Sequence, residues 1–185
     1  MFRRTASPSR PVLLLAGLVL AASALAGPGQ SPALDDVYNF VRISDQLGTS
    51  GQISVEEIAA VEDSGYQVVV NLAPAREDRN FEEAFRVVEA GMTYIQIPVD
   101  WQSPALRDLE LFFDVMDANQ DRQVFVHCFA NMRVSVFVYL YRTLREGVPE
   151  GEAWEDVLKV WDPGADPETA QWPRFIETAR AALGG

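Results

Sequence analysis

With 185 residues, of which 48% are hydrophobic and 23% charged, the chain is sized for one domain with a core of its own. A net charge of −12 argues against nucleic acid and anionic membranes as partners and repels highly charged anions at long range. One cysteine and one histidine are too few for a zinc site or a Ser-His-Asp triad, so no metal or cofactor is expected.

Residues 1–26 read as a cleaved signal peptide. Arg3, Arg4 and Arg10 form a positive start, Val12 to Ala22 is a short apolar stretch, and Ala24-Leu25-Ala26 is an A-x-A cleavage signal. The expected location is therefore periplasmic or secreted, with no membrane attachment after cleavage. Cleavage would remove three arginines and no acid, leaving a net charge of −15. Residues 27–36 read as a linker, and residues 37–185 as the folded domain. A lone cysteine in an exported protein is either buried and inert or reactive.

Along the domain, Tyr38 to Ile43 is a short strand candidate and Ser50-Gly51-Gln52 a turn. Ser54 and Glu57 form a capping box, opening a helix whose expected core face is Val55, Ile58 and Ala59 and which ends at Gly65. Val68 to Leu72 is an apolar run of strand length, followed by a polar loop from Pro74 to Asn80. Phe81, Ala84, Phe85 and Val88 recur at helical spacing, predicting a helix with that face inward and a stop at Gly91. Thr93 to Ile97 is the next strand. Ser103 is an expected N-cap with Pro104 at the first helical position, and Leu106, Leu109, Phe113 and Met116 face the core beyond it.

Gln123 to His127 is a third strong strand. The segment Arg133 to Glu146 is apolar nearly all round, which predicts a central buried helix ending at Gly147. Two further helices carry Trp154, Val157, Leu158 and Trp161, then Trp172, Phe175, Ile176, Ala179 and Leu183. Short apolar strands alternating with helices predict an α/β fold: a mostly parallel sheet covered on both faces, with a C-terminal helical cluster. In such sheets the reactive site lies where strand C-termini meet helix N-termini.

Cys128 falls in that place. A helix N-terminus carries partial positive charge and unpaired amides, and a loop wrapped over it forms a nest for an oxyanion. The same field, with Arg133, lowers the pKa of a cysteine at the start of the loop. The amides of Phe129, Ala130, Asn131, Met132 and Arg133 would hold phosphoryl oxygens, with Arg133 adding a bidentate clamp. Asn131 sits where the loop needs a positive φ. The Ser135 hydroxyl would either donate to the thiolate or bond back to the preceding helical turn. His127 is expected to position the loop rather than act as a base. The competing readings are a buried core cysteine and a solvated first-turn arginine.

His127-Cys128 with Arg133 and Ser135 resembles the H-C-x5-R-[S/T] signature loop of the protein tyrosine and dual-specificity phosphatases. Three further stretches, together with the Cys128 loop itself, are similar to a bacterial group of such proteins: Leu47-Gly48-Thr49-Ser50-Gly51-Gln52, Asn71-Leu72-Ala73-Pro74 and Ile97-Pro98-Val99. That group is related to the phosphatase-like domain of β-lactamase-hydrolase-like proteins, and the likeness runs over about residues 38–180. It implies a phosphotyrosine phosphatase II-like fold and hydrolysis of phosphate monoesters through a cysteinyl-phosphate. It also implies a general acid from the loop after the preceding strand, where Asp100 stands, with Asp78 in the earlier loop the weaker candidate.

The chain departs from the signature in two respects. Arginine follows cysteine after four residues, Val134 stands where the longer motif has arginine, and Asn131 replaces the usual glycine. C-x4-R is shared by the β-lactamase-hydrolase-like relatives and by rhodanese-type sulfurtransferases. The partner expected first is thus a phosphorylated protein or small phosphate ester. A sulfane-sulfur donor serving a Cys128 persulfide is the alternative, and a non-catalytic module binding an anion or phosphopeptide is the third. The loop has no lysine, which with the acidic balance argues against a polyanionic lipid headgroup.

Overall fold

The computed structural model describes residues 33–184. Five strands lie between or before six helices: β1 Val41–Arg42, β2 Leu47–Ser50, α1 Ile58–Asp63, β3 Val68–Asn71, α2 Glu83–Glu89, β4 Thr93–Gln96, α3 Leu106–Asp117, β5 Val124–His127, α4 Met132–Leu144, α5 Glu150–Leu158 and α6 Gln171–Leu183. The sheet order is β1-β2-β5-β3-β4. Only β1 pairs antiparallel; β2, β5, β3 and β4 run parallel. The expected α/β architecture is therefore present, with β5 at the centre.

Alternation along β5 decides what lies on each face. Val124, Val126 and Cys128 belong to the larger core, built with Phe112, Phe113, Phe137, Leu140 and Trp172 from α3, α4 and α6. Phe125 points the other way, into a smaller core with Ile58 and Val61 of α1, Val87 of α2 and Tyr66. Helix α4 is buried at every position from Arg133 to Arg142, as its all-round apolar sequence requires. Burying side chains such as Phe137 and Leu140 in full stabilises the fold by about 1.5–3 kcal/mol each.

Several local expectations are corrected. Phe81, Phe85 and Val88 are exposed by 76%, 65% and 59%, and Ala84 is also exposed. Helix α2 instead turns Glu83 and Val87 inward. The Ser54–Glu57 capping box forms, with Glu57 accepting from the Ser54 amide at 2.7 Å and Ser54 from the Glu57 amide at 3.3 Å, but Val55 and Ala59 face solvent. Helix α3 starts at Leu106 after Ala105, two residues beyond the expected start at Pro104. Ser50 ends a strand rather than opening a turn, and Gly51 bridges to Ala130.

The expected signal peptide lies outside the described residues. Of the expected 27–36 linker, Leu34–Asp36 form a 3-10 turn, and Leu34 is buried in the smaller core. No helix among the described residues is long and apolar enough to cross a membrane.

Candidate active site

Strand β5 ends at His127, and α4 begins at Met132. The four residues between them, Cys128 to Asn131, make the reversal. It is possible because Asn131 adopts φ 64°, ψ −4°, a left-handed conformation that asparagine tolerates better than most residues. Asn131 is fully buried and donates from Nδ2 to the carbonyl of Asn39 at 2.8 Å and to Thr49 Oγ1 at 3.0 Å.

The carbonyls of the loop are tied outward. Phe129 O accepts from the Gln52 amide at 3.3 Å and Ala130 O from Asn39 Nδ2 at 3.1 Å. Asn131 O accepts from the Ser135 amide at 2.9 Å, and Met132 O from Ser135 Oγ at 2.9 Å. The amides of Phe129, Ala130, Met132 and Arg133 find no acceptor among the described residues. A loop with its carbonyls committed and its amides open, at the start of a 13-residue helix, is a cradle for an anion.

Cys128 lies at the base of this loop, fully buried, with its amide donating to Ser50 O at 3.3 Å. Arg133 is 8% exposed, and its Nε donates to Val99 O at 3.0 Å. Burial pushes the guanidinium below its ordinary pKa. The charge and weak hydrogen bonding of Cys128, then the charge of Asp100, oppose that push. No Arg133 N–H is aligned on the sulfur as a direct bond among the described residues. The guanidinium carbon also lies 5.1 Å from the Trp101 ring and 5.8 Å from the Phe129 ring.

Asp100 sits on the exposed loop after β4. Its Oδ1 accepts from the amides of Gln102 and Ser103, both at 2.8 Å, which fixes the carboxyl on the loop. Asp78 is bound bidentately by Arg76 at 2.9 and 3.1 Å, and that bond holds its carboxyl below the ordinary carboxylate range. A carboxylate paired in this way is a poor proton donor, so Asp100 stays the stronger of the two expected candidates.

Two expected roles take a different form. The Ser135 hydroxyl spends its proton on Met132 O and accepts from Trp161 Nε1 at 3.0 Å, so of its two expected roles the back-bond is the one seen. His127 points to the opposite face from Cys128, where Nε2 lies 2.9 Å from Glu83 Oε1. That contact is an ion pair when the ring is protonated, although its N–H is not aligned as a hydrogen bond.

Glu83 itself has no signal in the sequence beyond its place in a helix. It is 4% exposed and accepts from Asn71 Nδ2 at 2.8 Å, from Tyr94 Oη at 2.9 Å, and from Gln52 Nε2. Burial raises its pKa and is the largest single influence. The charge of a protonated His127, with the hydrogen bonds from Gln52 and Tyr94, outweighs it, so the carboxyl is held below its ordinary value. Asn39, Thr49 and Gln52 are likewise supports of the loop visible only in three dimensions. Among the described residues no group of three His, Cys, Asp or Glu side chains is placed to hold a metal ion.

Gly48 to Ser135 match the family described as "Polymorphic toxin system, DSP-PTPase phosphatase". Among solved structures, a candidate phosphatase (DUF442) from Shewanella putrefaciens CN-32 is 32% identical, with a TM-score of 0.71 over 82% of this chain and 97% of that one. At 16% identity, TpbA of P. aeruginosa, solved as a cysteine-to-serine variant with phosphotyrosine, shares the fold. Its TM-score is 0.63 over 84% of this chain and 95% of its own. PTPMT1 does so at 21% identity, with a TM-score of 0.59 over 77% and 98%. Among curated proteins nothing matches. The chain belongs to the protein tyrosine and dual-specificity phosphatase-like family and is a phosphatase acting on phosphate monoesters.

Proposed function

We propose that the protein hydrolyses phosphate monoesters, those of phosphotyrosine type foremost, through a cysteinyl-phosphate on Cys128. The observation that carries this is the cradle. Open amides at the start of α4 follow directly on buried Cys128, and Arg133, from the first turn of the same helix, is buried against Val99 O and the Trp101 and Phe129 rings.

The Cys128 thiolate attacks phosphorus in line as the P–O ester bond breaks. Asp100 gives its proton to the leaving oxygen. The loop amides and Arg133 take the charge that spreads over the three equatorial oxygens. Water then attacks the thiophosphate, Asp100 takes the proton back, and the P–S bond breaks to release phosphate and restore the thiolate. A phosphoprotein or a small aryl phosphate supplies the ester. The TpbA complex with phosphotyrosine is consistent with that class.

The decisive assay compares hydrolysis of a small aryl phosphate by freshly reduced protein and by Cys128→Ser. The proposal requires turnover in the first and none in the second. Turnover that survives the substitution would place the chemistry elsewhere.

The basic start, apolar stretch and A-x-A site of residues 1–26 support export of the enzyme to the periplasm or beyond. N-terminal sequencing of the enzyme recovered from the non-cytosolic fraction tests this. A mature start near Gly27 supports it, and an intact Met1 would refute it.

A further inference from the structure

The loop between β3 and α2 carries two arginines beside the site, and the structure treats them differently. The loop is built rather than slack. Buried Asn80 donates from Nδ2 to Pro74 O at 3.2 Å and accepts from the Arg76 amide at 2.7 Å, and the Arg79 amide donates to Arg76 O at 3.2 Å. Arg76 is neutralised by its two bonds to Asp78. Arg79 makes no ion pair among the described residues.

Instead the Arg79 guanidinium carbon lies 4.9 Å from the centroid of the Phe129 ring. The same ring carries the Arg133 guanidinium at 5.8 Å. The two cations are therefore separated by no more than the sum of those distances, around a residue whose amide belongs to the anion cradle. Arg133 is buried, whereas Arg79 is exposed at the rim. In a chain with a net charge of −12, an unpaired arginine beside the site is a local attraction in a repelling field. Stacking on an aromatic ring lowers the entropy that an exposed arginine loses on binding, and leaves the fork's N–H donors for an oxyanion.

We propose that Arg79 is a specificity-determining residue that binds a second oxyanion, carboxylate or phosphate, on the substrate whose phosphoryl group sits in the Cys128 loop. This rests on the phosphatase reading above. The preferred substrate is thus a phosphoester with a second negative group close to the first, such as a phosphotyrosine flanked by an acidic residue or by another phosphate.

The experiment measures kcat/KM on three phosphotyrosyl peptides of one length: neutral flanks, an adjacent glutamate, and an adjacent second phosphoresidue. The protein is compared with Arg79→Ala and Arg79→Lys. The expected wild-type preference for an anionic flank is about threefold, the size of an exposed ion pair. It shrinks with added salt, disappears in Arg79→Ala and persists in part in Arg79→Lys. The larger preference of the two anionic peptides identifies which oxyanion Arg79 takes. Equal rates on neutral and anionic peptides, or a preference that survives Arg79→Ala, would overturn the assignment while leaving the phosphatase reading intact. No turnover of any peptide by the reduced wild type would count against that reading itself.

Discussion

Asn131 and Asn39, the only described non-glycine residues with positive φ (64° and 53°), brace one another across the sheet end. Asn131 Nδ2 donates to Asn39 O, and Asn39 Nδ2 donates to Ala130 O, one residue before Asn131. The Cys128 loop is therefore held by the segment that leads into β1, far away in sequence.

Asn131→Ala should destabilise the protein by about 1–3 kcal/mol. Both residues carry a β-carbon, so the loss comes from the bonds to Asn39 and Thr49 and from the local amide bonding that eases a left-handed φ in asparagine. Asn131→Gly keeps the backbone conformation and should lose less. Denaturant unfolding of the two variants checks the order, and an alanine variant as stable as the glycine one would contradict it.

The buried Glu83 makes a prediction about pH. Its folded carboxyl titrates below the unfolded value of about 4.3, so the stability it contributes is full above that value and is lost as pH falls through the folded pKa. Glu83→Gln should be less stable than the wild type near neutrality, with the gap narrowing below about pH 4. Urea titrations at a series of pH values give the curve. A gap that widens in acid would contradict the sign.

Asp100 should matter most when the leaving group is poor. Asp100→Asn is expected to slow turnover of an alkyl phosphate by about 10²–10⁴-fold and that of an activated aryl phosphate far less. The acidic leaving group of the aryl ester needs little help from a proton. Equal losses on both substrates would make Asp100 a loop brace, through its bonds to Gln102 and Ser103, rather than the acid.

Access to the sulfur should be gated by Phe129. Cys128 is fully buried, and the half-buried Phe129 packs on its cluster, flanked by Arg79 and Arg133. Alkylation of Cys128 by iodoacetamide should be slow in the wild type and about tenfold or more faster in Phe129→Ala, as the opening becomes easier. Unchanged alkylation would mean the thiol is reached by another route.

The parts of this molecule that read from sequence are those encoded locally. Helix α4 is apolar on every side and is buried on every side; Asn131 in a tight reversal adopts the positive φ expected of it. The order of elements around Cys128 suffices to place it where β5 meets α4. What failed in α2 has a physical reason. Periodicity assigns the inward face to Phe81, Ala84, Phe85 and Val88, because Glu83, second of the pair Glu82-Glu83, looks like a solvated residue. Its partners Gln52, Asn71, Tyr94 and His127 come from four separate stretches of chain, and only their convergence makes burial of the carboxylate favourable. Ser135 was open for a similar reason. Whether its hydroxyl serves the thiolate or Met132 depends on Trp161, 26 residues away.

The most direct test of the account is to acid-quench the reduced enzyme during turnover of an aryl phosphate and locate the phosphoryl group by peptide mass analysis. The account predicts one phosphoryl group on the peptide carrying Cys128, accumulating further when water attack is slowed and absent in Cys128→Ser. Steady turnover with no label on Cys128, or with label on another residue, would contradict it.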